Sequence, residues 1–275
     1  MENGFHKKKQ YGQNFLIGDA IPRRIAEESG VTSGCGVLEI GPGLGVLTKQ
    51  LAARAGKVVA VEIDRDLVPR LNETFSGDAN VKIIEADIMK TDLRKLLSEE
   101  FAGMDVFVVA NLPYYITSPI LWMLCEGKYG FKSITVMVQK EVADRLTSKA
   151  GSSEYGAMTV SLSYYVGIRK LFNVSAGNFS PRPKVDSAVI SLSPYPVPPV
   201  KVADEDTLFR CIRASFSMRR KTLVNGLASG IGMSKDDVLA AVAECGFSQT
   251  VRGEDLTLAD FAALSDAVFR RKNGG

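Results

Sequence analysis

Asn111-Leu112-Pro113-Tyr114 directly follow the apolar run Val106-Phe107-Val108-Val109-Ala110. Such a run reads as a buried parallel strand, and α/β enzymes keep their chemistry just past the carboxyl ends of strands. A side-chain amide, two backbone carbonyls and an aromatic ring at that point suit the grip of a planar amino group on a heterocycle. The Asn111 side-chain oxygen and the Leu112 carbonyl can accept the two amino hydrogens, Pro113 fixes the turn, and Tyr114 can stack on the ring. Taken alone, the four residues could equally be a strand-to-turn transition.

Three other strand ends sharpen the reading. Glu39-Ile40-Gly41-Pro42-Gly43-Leu44-Gly45 follows a first strand and opens a helix. Its glycines let the backbone turn tightly and approach a ligand closely. The spacing is GxGxG, Pro42 removes a backbone donor that a pyrophosphate would use, and no P-loop lysine follows. The loop therefore suits the amino-acid part of a nucleoside ligand better than phosphates. Glu62 ends the second strand, where an acid can accept hydrogen bonds from both ribose hydroxyls. Asp87 ends the third and can accept from an adenine amino group, with Ile63 and Ile88 as apolar walls. Either acid alone is as readily a helix N-cap or an exposed loop charge. All four features on successive strand ends point to a nucleoside.

Composition narrows the chemistry. The 275 residues hold 45% hydrophobic and 24% charged residues, as in an ordinary soluble protein of one large and one small domain. No apolar run is long enough to span a bilayer, and the polar start is not a signal peptide. Cys35, Cys125, Cys211 and Cys245 are scattered without CxxC spacing, as expected of thiols in a reducing cytosol. The single histidine, His6, nearly excludes a Ser-His-Asp triad or a His-ligated catalytic metal. At a net charge of +3, polyanion binding must come from local clusters, of which Lys7-Lys8-Lys9, Arg219-Arg220-Lys221 and Arg270-Arg271-Lys272 are candidates. Each is by itself better read as a solvated charge run.

The elements that would position these residues alternate βα from about Asp19 to Gln139. Strands are expected at 37–40, 57–63, 81–85, 105–110 and 133–138, with helices at 44–54, 64–75 and 117–125 and another through Arg145. This specifies a parallel sheet covered on both faces. After Gly156 the segments 159–166, 168–174 and 185–192 read as β additions at one sheet edge. Pro194-Tyr195-Pro196-Val197-Pro198-Pro199 reads as a stiff linker. Helices follow at 204–217, 221–227, 234–244 and 257–269, with Ser234/Asp237 and Thr257/Asp260 at capping-box spacing. The expected domains are 1–198 and 199–275.

The whole chain resembles the ribosomal RNA adenine N6-dimethyltransferases of the KsgA type. The motifs that carry the resemblance are Tyr11-Gly12-Gln13-Asn14-Phe15-Leu16, the 39–45 glycine loop, Val61-Glu62-Ile63-Asp64, Ala86-Asp87, Asn111-Leu112-Pro113-Tyr114, Gln139-Lys140-Glu141-Val142, Phe179-Ser180-Pro181-Arg182-Pro183-Lys184-Val185-Asp186-Ser187 and Phe216-Ser217-Met218-Arg219-Arg220-Lys221-Thr222. The resemblance implies a class I, Rossmann-like methyltransferase with a mixed, mainly parallel seven-stranded sheet and a small C-terminal all-helical domain. S-adenosylmethionine would be the donor and S-adenosylhomocysteine the product. Gly41 and Gly43 would hold its methionine part, Glu62 its ribose and Asp87 its adenine, with Ile63, Ile88 and Asn111 also around it. Gln13, Asn14 and Leu16 would close over it, a role that comes from the resemblance alone.

Asn111, Leu112, Pro113 and Tyr114 would hold the target adenine, and Phe179, held by Pro181 and Pro183, would stack on its other face. The base must first be extruded from folded RNA. The implied reaction dimethylates two adjacent adenines in the 3′-terminal hairpin of 16S rRNA within a pre-30S particle. The implied enzyme is a cytoplasmic monomer with no metal and no membrane partner. With RNA as substrate, Lys7, Lys8, Lys9, Arg219, Arg220 and Lys221 become candidate phosphate contacts. The rival readings are an Erm-type methyltransferase of 23S rRNA, a non-catalytic ribosome assembly factor and, fitting poorly, a small-molecule methyltransferase.

Overall fold

The computed structural model describes residues 14–218 and 221–274. The chain divides into two compact units. One runs up to Ala143 and takes in Gly167–Pro194, and the other holds Asp144–Val166 and the chain from Tyr195 onward.

The first unit is built on β1 (Phe15–Leu16), β2 (Gly36–Ile40), β3 (Lys57–Glu62), β4 (Val81–Glu85), β5 (Val106–Asn111), β6 (Ser133–Gln139), β7 (Val166–Val174), β8 (Phe179–Ser180) and β9 (Ser187–Pro194). Seven of these form one sheet in the order β4-β3-β2-β5-β6-β9-β7. The pairs β3–β4, β2–β3, β2–β5 and β5–β6 are parallel, and β9 runs antiparallel to β6. Helices α1 (Ala20–Glu28), α2 (Val46–Ala52), α3 (Val68–Thr74), α4 (Leu93–Glu100) and α5 (Thr117–Glu126) alternate with the strands, and α6 (Lys140–Leu146) follows β6. Val37, Val58, Val109, Met137 and Val189 put the β-branched and apolar side chains of the central strands into one core with Ile25 and Leu51. Burial of both sheet faces is why these strands read as continuous apolar runs.

β1 and β8 form a separate two-stranded pair, with Leu16 opposite Phe179 and Phe15 opposite Ser180. Successive side chains on a strand face opposite ways. Leu16 accordingly enters the main core, while Phe15 packs with Leu67, Leu71 and Phe75.

The second unit contains α7 (Ala157–Ser163), α8 (Glu205–Ser217), α9 (Leu223–Ile231), α10 (Lys235–Glu244) and α11 (Leu258–Asn273). Asp204 caps α8 by accepting from the Thr207 N–H at 2.7 Å, and Thr257 and Asp260 make a reciprocal capping box on α11. Ser234 caps α10 and also donates its hydroxyl to Asp237.

Two expectations need correction. Residues 159–166 were expected as a strand, but Thr159-Val160-Ser161-Leu162 lie inside helix α7 and are all buried. Packing on a helical neighbour overrides a β-branched composition there, since strand propensity is largely a matter of surroundings. Helix α4 was not anticipated, although Asp92 caps it by accepting from the Lys95 N–H at 3.1 Å and Leu93 and Leu96 bury one face. The two compact units divide after Pro194, with residues 144–166 in the second. No helix among the described residues is long and apolar enough to cross a membrane.

Candidate active site

The register of the parallel ladder aligns the strand ends. Ile40 pairs with both Val61 and Ala110, and Glu62 pairs with Glu85. One residue further on, the Gly41 N–H donates to the Val61 carbonyl at 2.9 Å. Gly41, Glu62, Glu85 and Asn111 therefore stand in one row at the carboxyl edge, where β2 and β5 diverge in connection. Ligands of open α/β sheets bind at such a crevice.

A cleft of about 1040 Å³, counted out to its open mouth, occupies this edge. Asn14, Leu16, Gly41, Gly43, Glu62, Ile63, Asp87, Ile88, Asn111, Leu112, Pro113 and Tyr114 all line it. The residues singled out on four strand ends are thus brought together. Gln13, Lys7, Lys8, Lys9, Arg219 and Arg220 lie outside the described residues. Lys221 is exposed and belongs to the second unit.

The glycine loop is shaped by left-handed backbone at Gly41, Gly43 and Gly45, with φ of 67°, 59° and 78°. At Gly43 an added Cβ would also come within 3.0 Å of the Phe15 ring. The Glu62 carboxylate ties this loop to its own strand end. Its Oε2 accepts from the Gly43 N–H at 3.1 Å and its Oε1 from the Asp64 N–H at 2.9 Å. With about four acceptor positions, the carboxylate still has capacity for a ligand hydroxyl. Burial raises the Glu62 pKa, opposed by the N–H donors of Asp64, Gly43 and Ile63.

Asp87 does two jobs at once. Its Oδ1 caps the following turn by accepting from the Met89 N–H at 3.0 Å, while Oδ2 faces Lys90 only loosely, at 3.8 Å. Beside it, Ile63 remains 41% exposed, an apolar side chain left open at the mouth of a cleft.

On the acceptor side, the Asn111 Nδ2 donates to the Asn14 carbonyl at 3.3 Å. That bond orients the amide and leaves Oδ1 as the acceptor. The Leu112 N–H is taken by the Met137 carbonyl, and the Pro113 carbonyl accepts from Ile116 and Thr117, which starts α5. The Tyr114 hydroxyl is paired with the Ser187 hydroxyl at 2.7 Å. Burial, with the Asp186 charge adding, raises the Tyr114 pKa and keeps the phenol neutral.

Phe179 does not line the cleft. Its ring is 3% exposed and packs in the main core with Leu16, Met137 and Val189. There it holds the β1–β8 pair, opposite Leu16.

Sequence reading gave no role to Glu39. It is 1% exposed, lines the cleft, and its Oε2 finds no hydrogen-bond partner among the described residues. Burial, with the neighbouring Glu62 charge adding and the nearby Thr48 hydroxyl opposing, pushes its pKa to about 8. A carboxyl inside an otherwise apolar strand, two residues before Gly41, was the available signal. Tyr115 and Leu44, both exposed at the cleft, were also passed over.

A family model described as ribosomal RNA adenine dimethylase matches residues 4–266. The chain belongs to this family. It is 46% identical over 273 residues to the ribosomal RNA small subunit methyltransferase A of Bacillus mycoides and to that of Bacillus cereus, covering 98% of this chain and 94% of each relative. Among solved structures, a dimethyladenosine transferase from Plasmodium falciparum superposes with a TM-score of 0.78 at 27% identity, covering 94% of this chain and 98% of that one. The 23S rRNA methyltransferase ErmE superposes at 0.70 with 26% identity, covering 93% and 100%. The enzyme is thus an rRNA adenine methyltransferase of Rossmann-like fold that uses S-adenosylmethionine. The residues present fit that donor. The cleft offers a glycine cradle, an acid with acceptor capacity at each of two strand ends, an apolar wall, and a buried carboxyl whose Oε2 has no partner among the described residues.

Proposed function

We propose that this enzyme dimethylates N6 of two adjacent adenines in the 3′-terminal hairpin of 16S rRNA, acting as a cytoplasmic monomer on a pre-30S particle. When bound, S-adenosylmethionine supplies a methyl group activated by its sulfonium. Gly41 and Gly43 cradle its methionine part, Glu62 accepts from the ribose, and Asp87 accepts from the adenine between Ile63 and Ile88. Gln13, Asn14 and Leu16 cover the ligand and exclude water. Lys7, Lys8, Lys9, Arg219, Arg220 and Lys221 contribute phosphate contacts.

The acceptor amine is a weak nucleophile because its lone pair is delocalised into the ring. The Asn111 Oδ1 and the Leu112 carbonyl accept its two hydrogens and favour the more pyramidal geometry that frees the lone pair. Tyr114 stacks on the base and restrains it at the reacting distance. Phe179, opposite Leu16 in the β1–β8 pair, is the candidate for the other face of the base. The single observation that carries the reading is the Asn111–Asn14 bond, because it commits the amide nitrogen and leaves the oxygen to accept from an amino group. The choice of 16S over 23S is supported by near full-length identity of 46% to small-subunit enzymes, against 26% to ErmE.

The test is primer extension on both rRNAs after separate incubation of pre-30S particles and of 23S rRNA with the enzyme and radiolabelled donor. Stops at two adjacent 16S adenines are expected; stops in 23S alone overturn the assignment. Equal label incorporation by Asn111→Ala and wild type overturns the role of Asn111.

A further inference from the structure

We propose that Arg182 and Lys184 form a phosphate-binding rim on the acceptor side of the cleft, holding the RNA backbone beside the extruded adenine. The inference rests on the reading of the acceptor as an adenine in rRNA.

Residues 181–186 form a loop whose two ends are both bound to the acceptor site. Before it, Phe179 and Ser180 pair with Leu16 and Phe15, next to the Asn14 carbonyl that receives the Asn111 amide. After it, the Ser187 hydroxyl holds the Tyr114 hydroxyl at 2.7 Å. The loop's own acid is turned to structure: the Asp186 Oδ1 accepts from the Ala176 N–H, and its carbonyl from the Lys140 N–H, each at 2.9 Å. Pro183 restricts Arg182 to extended backbone, and Pro181 and Pro183 both limit the loop's freedom.

Arg182 and Lys184 on this anchored loop are exposed, and neither has a carboxylate within 4.0 Å among the described residues. Several other cations of the same unit are neutralised by a carboxylate. Arg54 faces Glu27, Lys57 and Lys82 share Glu100, Lys95 faces Glu99 and Lys132 faces Asp105. Two unneutralised cations on a loop tied at both ends to the acceptor residues suit the phosphates that flank an extruded base. An arginine fork binds a phosphate with two parallel bonds, and a lysine adds a point charge. A base leaving its stack carries those phosphates to the rim with it.

The test is methyl transfer to pre-30S particles across a salt series by the double variant Arg182→Gln/Lys184→Gln. Its control is Lys95→Gln/Lys132→Gln, which loses the same charge from ion-paired positions. The double variant is expected to raise KM about tenfold and to flatten the dependence of log KM on log salt by about 1.4, at about 0.7 per phosphate contact on a single strand. Its kcat should stay within about twofold of wild type, and calorimetry should show unchanged S-adenosylmethionine affinity, which also reports an intact fold. A KM matching the control overturns the rim, and so does a raised KM with an unchanged salt slope. A wild-type enzyme that methylates no 16S adenine overturns the functional reading instead, so the two failures are distinguishable.

Discussion

Glu39 gives the site a pH signature that can be read without substrate. Its folded pKa of about 8 stands well above the ordinary 4.5, because burial disfavours the charged form. A carboxyl shifted in this direction holds its proton more tightly in the folded state. Its contribution to stability is complete below the unfolded value of 4.5, and it is lost as pH rises through about 8. At about 1.36 kcal/mol per pH unit, the gap corresponds to an upper bound of about 5 kcal/mol at alkaline pH, with less than about 1 kcal/mol felt at pH 5. Glu39→Gln keeps the shape and removes the charge. Urea unfolding of the ligand-free protein at several pH values between 5 and 9 should find the variant increasingly more stable than wild type as pH rises, by a few kcal/mol at pH 8.5. Glu62, also raised by burial, is present in both proteins, so most of its own titration cancels in the difference. Parallel stability profiles for the two proteins would refute the reasoning, since a carboxyl ionised in both states has no such slope.

Other substitutions separate the parts of the cleft. Asn111→Ala removes the oriented acceptor and should lower the single-turnover rate about 100- to 1000-fold, the range for loss of one preorganised hydrogen-bonding group. Gly43→Ala imposes a side chain at φ 59° and 3.0 Å from the Phe15 ring. It should cost about 1–3 kcal/mol in urea unfolding and weaken donor binding measured by calorimetry. Tyr114→Phe loses the bond to Ser187, about 1 kcal/mol of stability, yet keeps the ring, so kcat should stay within a few-fold. Tyr114→Ala removes the stacking surface and should raise KM for the particle by about tenfold or more, at 1–3 kcal/mol per stacked base.

Most of the sheet was legible because buried parallel strands are written as uninterrupted apolar runs. Val106 to Ala110 is the clearest case. Helix α7 was not legible, since Thr159-Val160-Ser161-Leu162 has a strand-like composition and is buried on every side, which erases helical periodicity. The β1–β8 pair was invisible for another reason. Two-residue strands separated by more than 160 positions leave no local pattern, and only the resemblance pointed to Asn14 and Leu16. Phe179 shares that pair, opposite Leu16, so its place beside the acceptor side is likewise set by a contact more than 160 positions away in the chain.

The alternatives that sequence left open at the strand ends, ligand contact or cap, are not exclusive here. Asp87 spends Oδ1 on the Met89 N–H and lines the cleft with the rest of its carboxylate. Glu62 spends one lone pair of each oxygen on the Gly43 and Asp64 N–H groups, so the acid proposed for the ribose also fixes the glycine loop. Asn111 spends its Nδ2 on the Asn14 carbonyl and keeps Oδ1. In each case the structural bond immobilises the side chain in the rotamer that presents its remaining acceptor, which removes the ordering entropy that binding would otherwise cost. A substitution at any of the three therefore loses pre-organisation as well as a contact. Glu62→Gln is the discriminating case, because an amide can keep one N–H acceptor but not both, and the glycine loop should loosen even without ligand.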